Sequence, residues 1–258
     1  MRARHILPFI LVFAAVSFAP PRQGFARELL IAIDIGHSPV SMGTPSARNR
    51  PEYEYNRKMS LALVREMNRS PRLRAFPVNI EGQDITLSRR AEIINEAKPD
   101  LIISIHHDSV RPALLSDWTY KGKPAQYCDK YRGYSIFISR RNGHPKASRL
   151  VALALGSEMR KAGFLPSNHH AEAAEGERRQ PVDTEKGVYF YDGLVVLKET
   201  KAPALLLECG IIRNRGEERL LRNRFYRSRI ARTVRAAVES QAKSPQARRG
   251  QQAEKPAR

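Results

Sequence analysis

Three short apolar runs in this chain end on side chains that bind metals or move protons. They are Leu29 to His37 (LLIAIDIGH), Leu101 to His106 (LIISIH) and Pro203 to Glu208 (PALLLE). A catalytic zinc takes three protein ligands of the imidazole and carboxylate type and keeps one position for water. His37 and His106 are the first candidates for such a set, and Glu52 and Glu54 both offer a carboxylate downstream of His37. A base beside the metal-bound water completes a hydrolase, and Glu208 closes the third run. One histidine at the end of a strand is ordinarily just a hydrogen-bonded residue. The same pattern at three strand ends points to one shared site.

Runs this short and this rich in Ile and Leu read as strands buried on both faces. Between them, Glu54 to Asn68 carries Tyr55, Met59, Ala62, Leu63 and Met67 on one helical face. Phe76 to Ile80 reads as a short strand, and Thr86 to Ala97 as a helix that must stop near Lys98 because Pro99 follows. Further along, Tyr134 to Ser139 reads as a strand, Ala147 to Lys161 as a helix, and Arg222 to Gln241 as the last helix. Val188 to Tyr191 and Leu194 to Leu197 flank Asp192-Gly193, a turn dipeptide. Residues 109–132 and 165–186 read as polar loop insertions. The order predicts a single α/β domain with a mostly parallel or mixed central sheet covered by helices on both faces. In such sheets, sites form beyond the carboxyl ends of the strands, where His37, His106 and Glu208 fall.

Several blocks resemble the type-3 family of zinc-dependent N-acetylmuramoyl-L-alanine amidases, bacterial cell-wall hydrolases. Asp34-Ile35-Gly36-His37 is similar to that family's D-x-G-H opening, and Glu52 to Asn56 is similar to its E-x-x-x-N helix start. Leu87, Arg90 and Asn95 match L-x-x-R-(x)4-N, and Ser104-Ile105-His106 matches S-I-H. Leu207 to Asn214 (LECGIIRN) resembles the catalytic segment. The blocks run in order from about Leu29 to Leu221. The resemblance implies one Zn²⁺ held by His37, Glu52 and His106, with Glu208 as catalytic acid/base. It implies cleavage of the amide between N-acetylmuramic acid and the L-alanine of the peptidoglycan stem peptide. Spacing favours Glu52 over Glu54 as the ligand. Arg90, Arg213 and Asn214 are candidates for substrate contacts, and Arg90 reads equally as a structural ion-pair partner.

The chain departs from the family where His37-Ser38-Pro39 replaces G-H-G-G, so the loop after the first ligand has its own backbone. His107 follows His106, faces the other way along a strand, and reads as structural. Asn168-His169-His170-Ala171-Glu172 reads as an exposed polar loop; the alternative is that this insertion folds over the zinc and adds a fourth ligand or a substrate contact. Two other readings are a zinc peptidase cutting within stem peptides and a catalytically silent wall-binding protein.

Residues 1–26 read as a secretory signal, with Arg2 and Arg4, an apolar stretch from Ile6 to Ala19, and the small-residue site Gly24-Phe25-Ala26. That reading makes 27–241 the catalytic domain, 242–258 a basic disordered tail, and the periplasm the location. It also leaves no stable membrane span in the mature protein. The formal charge is +19. Such a surplus suits an anionic neighbour, and export favours peptidoglycan over nucleic acid. Whether a protein activator is needed is open at this level. Cys128 and Cys209 are the only cysteines; a bridge or two free thiols both fit, and no CxxC pattern supports a cysteine-based metal site.

Overall fold

The computed structural model describes residues 27–172 and 178–243. The signal reading on 1–26 and the tail beyond Lys243 lie outside the described residues. Seven strands form one sheet in the order β2-β1-β3-β9-β6-β8-β7. Four of them, β2 (Leu73–Val78), β1 (Leu29–Ile35), β3 (Leu101–Asp108) and β9 (Ala204–Ile211), run parallel as neighbours. β9 then pairs antiparallel with β6 (Ser135–Ile138), β6 parallel with β8 (Val188–Phe190), and β8 antiparallel with β7 (Pro181–Asp183). The sheet is therefore mixed, within the class expected.

Strand alternation explains why helices cover both faces. Ile31, Ile33, Ile103, Ile105, Leu205 and Leu207 pack with Met59 and Leu63 of α1 (Glu52–Met67), Leu155 and Met159 of α3 (Pro145–Lys161), and Ile230 and Val234 of α6 (Arg224–Lys243). Their neighbours Ala32, Ile102 and Leu206 pack on the other face with Ile94 of α2 (Leu87–Ala97) and with Val196 and Leu197 of α4 (Val195–Glu199). Each fully buried Ile or Leu contributes about 1.5–3 kcal/mol. The continuous apolar runs thus specify a sheet buried on both faces.

Helix α2 shows clear start and stop signals. Thr86 Oγ1 accepts from Arg89 N at 3.1 Å, and Lys98 closes the helix in the left-handed region at φ 49°, just before Pro99. Other boundaries moved. α1 begins at Glu52 rather than Glu54, and β2 sits three residues earlier than the Phe76 start read from sequence. The last helix, α6, starts and ends two residues later than read, and a separate α5 (Arg215–Arg222), not read from the sequence, precedes it across Asn223, whose Oδ1 accepts from Phe225 N at 2.8 Å and Tyr226 N at 3.2 Å.

Two loop readings need correction. Residues 109–132 contain a hairpin, β4 (Ser116–Tyr120) and β5 (Lys123–Tyr127). Its two-residue turn, Lys121-Gly122, has φ of 51° and 75°, as a type I′ turn requires. Its strands lack an apolar alternation, which is why they read as loop. Conversely, Asp192-Gly193 does not close a hairpin. Leu194 to Leu197 enters the short helix α4, because a four-residue apolar run fits a buried helical turn as well as a strand. The 165–186 insertion also carries a 3-10 turn at His169–Ala171 and β7. Cys128 and Cys209 are both buried and unbridged, on separate apolar clusters.

Candidate metal centre

The carboxyl ends of β1, β3 and β9 lie side by side, so the first two strands bring His37 and His106 together. Gly36 allows this. A Cβ there would lie 2.4 Å from the His106 ring, so only glycine lets the chain leave β1 against that imidazole. His37 itself sits at φ 68°, a left-handed conformation that turns its side chain back over the sheet edge.

Arg90 of α2 holds that turn. Its guanidinium reaches Asp34 Oδ1 at 3.1 Å, the Ile35 carbonyl, and the His37 carbonyl at 3.0 Å. Ser104 Oγ donates to the other Asp34 oxygen at 2.6 Å. Of the two readings of Arg90, substrate contact or structural ion-pair partner, the geometry favours the second: it is 3 % exposed, its bonds point into the fold, and it positions His37. Asn214 is corrected to a structural role. Its Oδ1 caps α5 through Gly216 N and Glu217 N, and its Nδ2 donates to the carbonyls of Asp129 and Tyr131. Arg213 is also buried, with Nη1 on the Gln126 carbonyl at 3.2 Å.

Glu52 opens α1 and stands between the two imidazoles. Its Oε2 is 3.1 Å from His37 Nε2, and its Oε1 is 3.0 Å from His106 Nδ1. Asn56, one helical turn later, donates Nδ2 to Glu52 Oε1 and to the Gly36 carbonyl, both at 3.1 Å. Thr44 N and His107 N add bonds to the same carboxylate at 3.2 Å and 3.3 Å. Burial alone would raise the Glu52 carboxyl, but hydrogen bonds and charge from His106 and His37 outweigh it and hold it well below the usual range. Glu54 points elsewhere, half exposed between Arg50 and Lys58.

The donor atoms of His37, Glu52 and His106 lie within 4.8 Å of one another. Two imidazole nitrogens and one anionic oxygen, carried by a loop, a helix start and a strand, are a zinc-type donor set. Asn56 and the backbone amides hold the carboxylate as the outer partners of a metal site do. The residues present therefore fit a Zn²⁺ ion.

Glu208 pairs in register with His106 across β3 and β9. Its Oε2 is buried with no hydrogen-bond partner among the described residues. Burial, then the charges of Asp108 and Glu52, push its carboxyl well above the usual range. This is the environment of a group poised for proton transfer. His107 behaves differently from its neighbour His106. It is buried against α1, bonded to Asn56 Oδ1 at 2.7 Å, and burial lowers it to about 3.

The insertion does not read as an exposed loop here. His169 and His170 are buried, and both face Asp108 rather than the His37, Glu52 and His106 group. Glu172 accepts from Tyr131 OH at 2.7 Å. Sequence reasoning passed over Asp108, although Ser104-Ile105-His106-His107-Asp108 places it two residues beyond His106 and so on the same strand face.

Comparison with known proteins bears on this geometry. The family model described as N-acetylmuramoyl-L-alanine amidase (Amidase_3) matches residues 31–240. A Haemophilus influenzae protein named "Probable N-acetylmuramoyl-L-alanine amidase AmiB" is 28% identical over 243 residues, covering 86% of this chain and 53% of that protein. The chain thus spans about half the length of that relative. The fold is shared with the crystal structure of N-acetylmuramoyl-L-alanine amidase from Clostridium difficile, at TM-score 0.66 and 19% identity over 85% of this chain and 99% of that one. It is also shared with the CwlD amidase from Clostridioides difficile, solved in complex with the GerS lipoprotein, at TM-score 0.59 and 17% identity over 83% and 98%.

Proposed function

This chain belongs to the type-3 N-acetylmuramoyl-L-alanine amidase family, and from that premise we propose that it hydrolyses the amide between N-acetylmuramic acid and the L-alanine of peptidoglycan stem peptides, in wall remodelling or catabolism. The observation that carries the reading is the convergence of His37, Glu52 and His106 beside the partnerless carboxyl of Glu208. His37, Glu52 and His106 would hold one Zn²⁺, which when bound polarises the scissile carbonyl and acidifies its water.

The chain's own residues do the rest. Glu52 stays ionised between its imidazoles and keeps both rings aimed at one point. The Arg90 and Asp34 pair fixes the His37 backbone, so that imidazole needs no reorganisation during turnover. Glu208, ionised, would take the proton of the attacking water, and the proton it then holds would pass to the leaving amine; burial raises its hold on that proton.

Peptidoglycan lies outside the cytoplasm, and the basic, apolar start of the chain fits export to the periplasm. Among the described residues no helix is long and apolar enough to cross a membrane. A protein partner that tunes activity is compatible with the complex solved for the CwlD relative. Incubation with purified peptidoglycan, with and without chelator, tests the proposal by product mass. Free stem peptides beginning with L-alanine, lost on chelation, are the expected result. Cuts inside the peptide would instead support a stem-peptide peptidase, and binding without products a silent wall-binding protein.

A further inference from the structure

A second group of one carboxylate and two imidazoles lies past the end of β3, and nothing in the amidase chemistry above uses it. Asp108 Oδ2 is 2.7 Å from His170 Nε2 and 3.4 Å from His169 Nε2. The two imidazoles are stacked with centroids 3.8 Å apart and an interplanar angle of 38°, so both rings aim a nitrogen at the same oxygen. All three donor atoms lie within 4.8 Å of one another. Around a tetrahedral zinc with bonds of about 2.0–2.1 Å, donor atoms stand about 3.3 Å apart; the His169 pair already has this spacing, and the His170 pair, hydrogen-bonded at 2.7 Å, would open by about half an ångström.

The surroundings are those of a binding site rather than of a solvated loop. Ser167 Oγ holds His169 Nδ1 at 2.8 Å, which fixes that ring with Nε2 toward Asp108. Tyr131 packs on His169 at 5.5 Å, and the Phe137 ring meets His170 edge-on at 4.8 Å and 74°. Tyr131 in turn is tied by its hydroxyl to Glu172. An aromatic wall thus encloses three polar donors, an arrangement that excludes water and strengthens a bound cation's interactions.

We propose that Asp108, His169 and His170 form a second site for a divalent transition cation of the zinc class, distinct from the His37, Glu52 and His106 site. A cation there ties the 3-10 turn of the 165–186 insertion to β3, two residues beyond His106. Its role is to fix the wall of the cleft on the insertion side, and it stands whether or not the amidase assignment does.

Metal counting on the full chain tests this. The protein is stripped with chelator, reloaded with excess ZnCl₂, desalted and measured by elemental mass spectrometry. Three proteins are compared: the wild type, His169→Ala/His170→Ala and His37→Ala/His106→Ala. The expected result is two equivalents of zinc in the wild type and one in each double variant. One equivalent in the wild type overturns the proposal when His169→Ala/His170→Ala keeps it, and overturns the first site instead when His37→Ala/His106→Ala keeps it. An undiminished count in a folded His169→Ala/His170→Ala protein also overturns the proposal, with circular dichroism confirming the fold. Should that variant fail to fold, retention of one equivalent by His37→Ala/His106→Ala carries the test, and a count of zero there overturns it.

Discussion

Two clusters of the same composition, one carboxylate with two imidazoles, stand beside Glu208 and are built in opposite ways. His37, Glu52 and His106 hang on the ends of regular elements, and Asp34, Arg90, Ser104 and Asn56 brace them from beneath. Asp108 shares β3 with His106, but its imidazoles come from a 3-10 turn in an insertion, braced by Ser167 and an aromatic wall. The first design gives fixed geometry of the kind a reacting group needs. The second places two of its donors on a short 3-10 turn rather than on the ends of long elements. Glu208 feels both, since Asp108 and Glu52 each raise its carboxyl.

The strongest way to separate the clusters is to remove the proton carrier between them. Glu208→Gln is expected to cut turnover by about 10²–10⁴-fold while both clusters keep their zinc, read from turnover and metal content together. Loss of metal instead would make Glu208 a ligand and merge the two clusters into one. A smaller effect falls on the braced cluster alone. In Gly36→Ala the new methyl meets the His106 ring, so the protein is expected to lose about 1–3 kcal/mol in denaturant melts. Its affinity for zinc at the first cluster should fall, while binding at Asp108 stays put.

The smallest effect sharpens why the braced cluster is rigid. His107 is held neutral by burial, which lowers it to about 3, and it faces Glu52, His106 and Arg227. An unfolded chain takes up this proton below about pH 6.5 and the folded one does not, so the stability that His107 contributes falls as pH drops. Glu208 and Glu217, whose carboxyls are raised by burial, act with the opposite sign in the same window, so the His107 contribution of about 1.4 kcal/mol per pH unit is read as the difference between the wild type and His107→Gln. Denaturant melts at several pH values between 4.5 and 6.5, where Glu52 does not yet contribute, check it. His107→Gln should lose less stability than the wild type as pH falls, and parallel profiles for the two proteins would overturn this assignment.

The comparison also marks how far the sequence could be read. The buried strands announced the sheet because Ile and Leu runs have few other places to go, and strand ends on His37, His106 and Glu208 located the site's edge. Glu52 needed the family pattern, since Glu54 is equally acidic and only two residues away; the fold separates them through helix phase. Asn214 looked like a free polar group because a sequence does not show that two loop carbonyls will claim it, and Arg90 stayed open between substrate and ion pair because its partner Asp34 lies 56 residues away. The Asp108 cluster was invisible for a related reason. Its imidazoles are 61 and 62 residues from the aspartate, and no period or turn signal links them.

The amide of Asn56 has a consequence for where protons can travel. Its Nδ2 donates to Glu52 and to the Gly36 carbonyl, so its Oδ1 must face His107 and can only accept. His107 therefore carries its hydrogen on Nδ1, and its Nε2 lies buried with no partner among the described residues. The chain of bonds leading inward from the metal centre has one polarity and a dead end. Charge released during turnover has no relay into the core through this route and must leave by way of the cleft.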